Sequence, residues 1–131
     1  MADNAVAFEL VSPQSLLVSE EVEMIVVPGS DGDFGVMPGH SPLISNVRPG
    51  VIHIFDGGSV KTRIFVAGGF AEVTTERCTV LAEEAIPVED LDRASAEKEL
   101  ADSNDDVRDA SNDTQREAAE RRVAVAEAKL S

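Results

Sequence analysis

The side chains best suited to chemistry in this sequence are Asp33 and His40. They lie in Gly32-Asp33-Phe34-Gly35-Val36-Met37-Pro38-Gly39-His40-Ser41-Pro42-Leu43. A carboxylate and an imidazole could exchange a proton, but hydrolysis also needs a nucleophile and a site for the oxyanion. Neither His40 nor His53 is accompanied by a serine or cysteine in a catalytic context. Zinc would require clustered His, Cys or carboxylates at ligand spacing, and none occurs. The glycines lack the Lys-Ser/Thr of a phosphate loop, and Ser30-Asp31-Gly32-Asp33 lacks the later glutamate of a calcium loop. The sequence therefore makes no positive case for an enzyme, a cofactor or a metal. What remains for the stretch is presentation. Glycine admits backbone angles closed to other residues, and proline fixes φ and removes a donor. The stretch reads as a rigid, shaped loop that offers Asp33, His40 and the apolar Phe34, Val36, Met37 and Leu43 to a partner; the plainer reading is a strand connection.

The elements that hold this loop read as short strands. Val6-Ala7-Phe8-Glu9-Leu10-Val11 alternates before Pro13, Leu16-Leu17-Val18 follows, and Val22 to Val27 is stopped by Pro28-Gly29. Val51 to Phe55 meets Asp56-Gly57-Gly58, a hairpin signal, and Val60 to Val66 returns. Phe70 to Thr74 and Cys78 to Leu81 form another pair around Thr75-Glu76-Arg77. Strands at this spacing predict an antiparallel sandwich or barrel, and apolar residues on both parities predict that both faces are partly covered. Cys78 reads as a small core residue.

Composition changes at Pro87, beyond which there is no glycine, proline or aromatic residue. The predicted division is residues 1–86 and 87–131. The second part reads as helix, starting at Glu89 or Asp90, with Leu91, Ala94, Leu100 and Ala101 giving a weak apolar side. A turn is expected within Asp102 to Asp113. A second helix, Asp113 to Leu130, carries Ala119, Val123, Ala126 and Leu130 in one clean stripe. So little apolar area makes the helices marginal alone and easily re-docked.

Charge narrows the partners. With 11 Lys+Arg against 25 Asp+Glu the net charge is −14, which argues against nucleic acid and anionic membrane surfaces. A single cysteine excludes an intrachain disulfide framework. No apolar run approaches the roughly 20 residues that span a bilayer, so no direct membrane insertion is expected. Met-Ala-Asp-Asn carries no basic or arginine-rich presequence, which predicts a bacterial protein used in a reducing compartment.

The run from Gly32 to Leu43 resembles the GxFGVxPGHxPL signature of epsilon subunits of F-type ATP synthases, whose mitochondrial counterpart is delta. Val47-Arg48-Pro49-Gly50-Val51, Val66-Ala67-Gly68-Gly69-Phe70-Ala71-Glu72-Val73 and Val80-Leu81-Ala82-Glu83-Glu84-Ala85 follow in the family's order, and Glu89-Asp90-Leu91-Asp92 opens the tail as in the family. The resemblance covers essentially the whole chain. It implies a flattened sandwich of about ten strands followed by an antiparallel α-helical hairpin. It implies a non-catalytic central-stalk subunit, peripheral on the cytoplasmic face of the bacterial inner membrane. Its expected partners are gamma and the c-ring, with the alpha/beta head reached through the C-terminal helices. Asp33, Phe34, Val36, Met37 and His40 match the loop that faces the ring.

The tail departs from the family's nucleotide-binding pattern. Members that hold ATP between the helices carry (Ile/Leu)-Asp-x-x-Arg-Ala. Leu91, Asp92 and Ala96 match it, but Ser95 stands at the arginine. Arg122 matches one basic ligand of the second helix, and Ala118 occupies the place of the other. A phosphate site without two cations loses most of its charge-assisted bonds, so no tight ATP binding is expected and a weak one stays open. The acidic tail predicts a weak or absent brake on ATP hydrolysis. The alternative reading is a stand-alone nucleotide or small-ligand sensor with a helical lid.

Overall fold

The computed structural model describes residues 5–131; Met-Ala-Asp-Asn, on which the targeting expectation rests, lies outside them. Ten strands come first: β1 (Val6–Val11), β2 (Leu16–Val22), β3 (Met24–Gly29), β4 (Gly32–Val36), β5 (Leu43–Asn46), β6 (Gly50–Asp56), β7 (Ser59–Ala67), β8 (Phe70–Val73), β9 (Arg77–Leu81) and β10 (Glu84–Pro87). A short 3₁₀ turn, Val88–Asp90, precedes the helices α1 (Arg93–Asp109) and α2 (Asp113–Leu130). Two compact units divide between Val88 and Glu89, and the break expected after residue 86 falls inside β10.

The strands form two five-stranded sheets, in the orders β2-β1-β9-β8-β5 and β10-β7-β6-β3-β4. The sandwich is as the sequence reading expects, with one departure. Every named pairing is antiparallel except β1 with β9, which is parallel. Alternation decides the buried face: β1 buries Val6, Phe8 and Leu10 and turns Ala7, Glu9 and Val11 away. Those residues join Cys78 and Val80 of the same sheet and Ile25, Val27, Ile52, Ile54, Ile64 and Val66 of the other in one core cluster. β7 is buried on both faces from Ile64 to Ala67, where the sequence alternates least. The run read as one strand from Val22 to Val27 is divided: β2 ends at Val22 and β3 starts at Met24.

The helical unit is an antiparallel pair. α2 spans the predicted residues, but α1 starts later than expected, because Asp92 and not Glu89 or Asp90 is its N-cap. The expected apolar side of α1 is also displaced: Ala94 and Ala101 are exposed, whereas Ala96 and Ser103 are buried, with Leu100 and Val107 half-buried beside them. Offsets of four, three and four therefore occur on both helices, matching Ala119, Val123, Ala126 and Leu130 of α2. Ser103 escapes an unsatisfied hydroxyl by donating to the Glu99 carbonyl at 2.6 Å.

Gly69 holds the β7–β8 corner with φ +90°, and a Cβ there would fall 1.7 Å from the Leu81 carbonyl oxygen. Both the conformation and the approach exclude a side chain. Gly69→Ala should lower unfolding stability by about 3 kcal/mol or more, read from the urea midpoint of the full chain. An unchanged midpoint would mean that β8 and β9 can separate without disturbing the core.

Candidate functional site

The glycine- and proline-rich stretch divides into a strand, a turn and a second strand. Gly32–Val36 is β4, the edge strand of its sheet, paired with β3 through Pro28↔Asp33, Val27↔Phe34 and Ile25↔Val36. This corrects the expectation of a loop throughout. An edge strand tolerates two glycines because only one of its sides must pair. The turn follows: the His40 N–H donates to the Met37 carbonyl at 3.1 Å, and the Gly39 N–H donates across to Thr75 at 3.1 Å. β5 then begins at Leu43.

The period of two sorts the five expected contact residues. Val36 is 1 % exposed and belongs to the core. It cannot offer apolar contact to a partner, which corrects the sequence reading. Phe34, two residues earlier on the same face, packs partly against that core. Asp33 therefore points the other way, and its side chain remains 60 % exposed. Met37 is 57 % exposed just past the strand end. His40 is half-buried, and its Nδ1 carries the proton it donates to the Ser41 carbonyl at 2.6 Å. The structure thus gathers Asp33, Met37 and His40 along one edge and turn, with Phe34 as their anchor.

The sequence alone assigns Arg48 no role. Its guanidinium donates to Asp33 Oδ1 at 2.5 Å and to the Gly29 carbonyl at 2.6 Å. The available signal is that Arg48 is the first basic residue in the chain, the next being Lys61.

The residues of the degenerate nucleotide motif are not brought together. Asp92 caps α1: Oδ1 accepts from the Ala94 N–H at 3.0 Å and Oδ2 from the Ser95 hydroxyl at 2.9 Å. Ser95, standing where the family's arginine would be, serves the cap. The half-buried Leu91 just precedes this cap, and Ala96 is buried one turn beyond it. Arg122 pairs instead with Asp106 at 2.8 Å. Fourteen residues of helix separate Asp92 from Asp106, a rise of about 21 Å. Arg122 and Ala118 line a cleft of about 310 Å³ near the hairpin turn with Asp106, Asp109, Ala110 and Gln115. Two carboxylates against one engaged guanidinium make that cleft a poor host for a polyphosphate.

Two family models match the chain in order. The beta-sandwich domain of the ATP synthase delta/epsilon chain matches residues 5–88, and the C-terminal domain of the ATP synthase epsilon chain matches residues 92–131. The chain belongs to the ATP synthase epsilon chain family. The ATP synthase epsilon chain of Rhodospirillum rubrum is 54% identical over 123 residues, covering 94% of this chain and 92% of that relative. The counterpart from Rhodospirillum centenum is 54% identical over 135 residues, covering 99% and 92%. Among solved structures, a chain of the Euglena gracilis mitochondrial ATP synthase shares the fold, with a TM-score of 0.81 at 23% identity, over 95% of this chain and 79% of that one. No helix among the described residues is long and apolar enough to cross a membrane.

Two outcomes are expected. Hydrogen bonds from the Ser95 hydroxyl, then from the Ser95 and Ala94 backbone, hold the Asp92 carboxyl below its usual range. A depressed folded pKa stabilises above the unfolded value, about 4, and that stability is lost as pH falls through the folded one. Asp92→Ala should therefore reduce helical circular dichroism at pH 7, and the gap from wild type should begin to narrow at about pH 4 and close only once pH passes below the folded value. Titration of the isolated chain with ATP should show no saturation up to several millimolar, because the cleft offers no free cation pair. Micromolar binding would return the hairpin as a nucleotide site.

Proposed function

We propose that this chain is the epsilon-type rotor subunit of a proton-translocating F-type ATP synthase. In this reading it links gamma to the c-ring, works without catalysing a reaction itself, and lies peripherally at the cytoplasmic face of the bacterial inner membrane. The observation that carries the reading is the match to both family domains in order, with relatives 54% identical across nearly the whole chain. Physical features support it. A coupling element must transmit force without yielding, and a close-packed two-sheet core is stiff. The β4 edge and its turn present Asp33, Met37 and His40 on that stiff body, where an acid and an apolar contact suit the polar, basic-containing loops of a ring.

The hairpin takes a structural role here. An inhibitory tail must meet acidic surfaces of the alpha/beta head with basic residues, whereas residues 87–131 carry 13 Asp and Glu against 7 Lys and Arg. Several of its cations are also engaged: Arg122 with Asp106, Arg93 with Glu97, and Lys129 with Glu99 across the helices at 3.1 Å. A stand-alone nucleotide sensor is disfavoured by the charge of the cleft between the helices.

Reconstitution tests the proposal. Added to ATP synthase membranes stripped of this subunit, the chain should restore ATP-driven proton pumping. Truncation at Glu89 should restore pumping equally and leave ATP hydrolysis within about twofold, since the hairpin supplies no attraction to the head. Failure of the full chain to restore pumping would overturn the rotor assignment. A several-fold rise in hydrolysis on truncation would instead assign the hairpin a braking role.

A further inference from the structure

Arg48 stands between β5 and β6, and its main chain is tied to the β3–β4 corner. Its N–H donates to the Pro28 carbonyl at 2.9 Å, the Ser30 N–H donates to Asn46 at 2.9 Å, and Gly29 and Val47 form an isolated antiparallel bridge. The corner has no slack. A Cβ at Gly29 would lie 2.8 Å from the Gly32 carbonyl oxygen and 2.9 Å from the Phe34 ring. Onto this fixed frame the Arg48 side chain adds two more ties, Nη1 to the Gly29 carbonyl and Nη2 to Asp33 Oδ1. One planar guanidinium therefore joins the corner's main chain to the exposed carboxylate of the edge strand.

We propose that Arg48 is the positioning residue for Asp33, fixing the direction in which that carboxylate meets the rotor partner. The inference rests on the docking reading of the β4 edge. Asp33 Oδ1 is occupied, and no other hydrogen bond to this carboxylate is found among the described residues, so Oδ2 is left for a partner's N–H donor. The fork geometry makes the arrangement directional: a guanidinium can hold both acceptors at once, whereas an ammonium is a point charge that holds one well. Both side chains are substantially exposed, so the pair adds little to folding stability, and its effect lies in orientation. Arg48 also offsets the charge of Asp33. A cation approaching Asp33 is therefore admitted by its direction more than by bulk attraction.

The test is a double-mutant cycle read as binding of the fluorescently labelled full chain to ATP synthase membranes stripped of this subunit. Asp33→Asn should weaken binding about fivefold. Arg48→Gln should weaken it to a similar degree, and Arg48→Lys should fail to restore it although the charge is kept. The double variant D33N/R48Q should bind no worse than D33N, with urea midpoints close to wild type throughout. Multiplying effects in the double variant would overturn the proposal, because Arg48 would then touch the partner itself. Wild-type binding by Arg48→Lys would overturn it too, since charge alone would suffice. If D33N weakens binding and R48Q does not, only the role of Arg48 falls. If D33N has no effect, the docking reading of this edge falls and takes the proposal with it.

Discussion

Mutual burial of two sheet faces is the constraint on which the sandwich depends. Neither sheet could stand alone in water, because Phe8, Leu10, Cys78 and Val80 on one and Ile25, Ile52, Ile54 and Val66 on the other need each other to leave solvent. The parallel pairing of β1 with β9 brings the start of the sandwich beside a strand seventy residues later, which closes the first sheet through its middle. Burial also fixes register. With a period of two, a slip of one residue would carry Val36 and Phe34 out of the core and Asp33 into it. The outward direction of the exposed acid is thus a consequence of where the valine must go.

The helical pair is held differently. Its seam is built from Ala96, Ser103, Ala119 and Ala126, which permit close approach but remove little apolar area from water. Ends and edges make up part of the difference. Asp92 caps α1, the Asn112 side chain accepts from the Gln115 N–H at 2.8 Å to cap α2, and Lys129, its side chain only 8 % exposed, meets Glu99 across the seam. The caps are each worth about 1 kcal/mol. The sandwich is therefore the part of the molecule suited to bearing load.

Much of this was legible in the sequence, for identifiable reasons. Strand alternation at Val6–Val11, the Gly57-Gly58 hairpin and the stripe on α2 are local signals, and local physics answered them. The errors arose where a distant partner decides. Gly32–Val36 looked like loop because its glycines carry no strand preference, yet β3 supplies the ladder that makes it an edge strand. Val36 reads as a contact residue because its place in the core follows from its register with Ile25, eleven positions away, and from the facing sheet. Ser103 on α1 gives no apolar signal, because a buried serine in a seam of small residues is chosen for size, a demand made by the opposing helix. Arg48 reaches Asp33 across fifteen residues, a pairing invisible to any short window.

Charge placement distinguishes the two candidate sites more sharply than their shapes do. At the hairpin cleft, Asp106 and Asp109 outnumber Arg122, and the guanidinium is already spent on Asp106. An anion entering there would have to break an existing pair and then face the released carboxylate. At the β4 edge the arithmetic runs the other way. Arg48 engages one oxygen of Asp33 and leaves the other in solvent, so an incoming donor need break no pair before it binds. A bond added to a fixed acceptor leaves the geometry around that acceptor unchanged. The same acidic chain therefore spends a cation at its helices and keeps a carboxylate oxygen in solvent at its sheet edge.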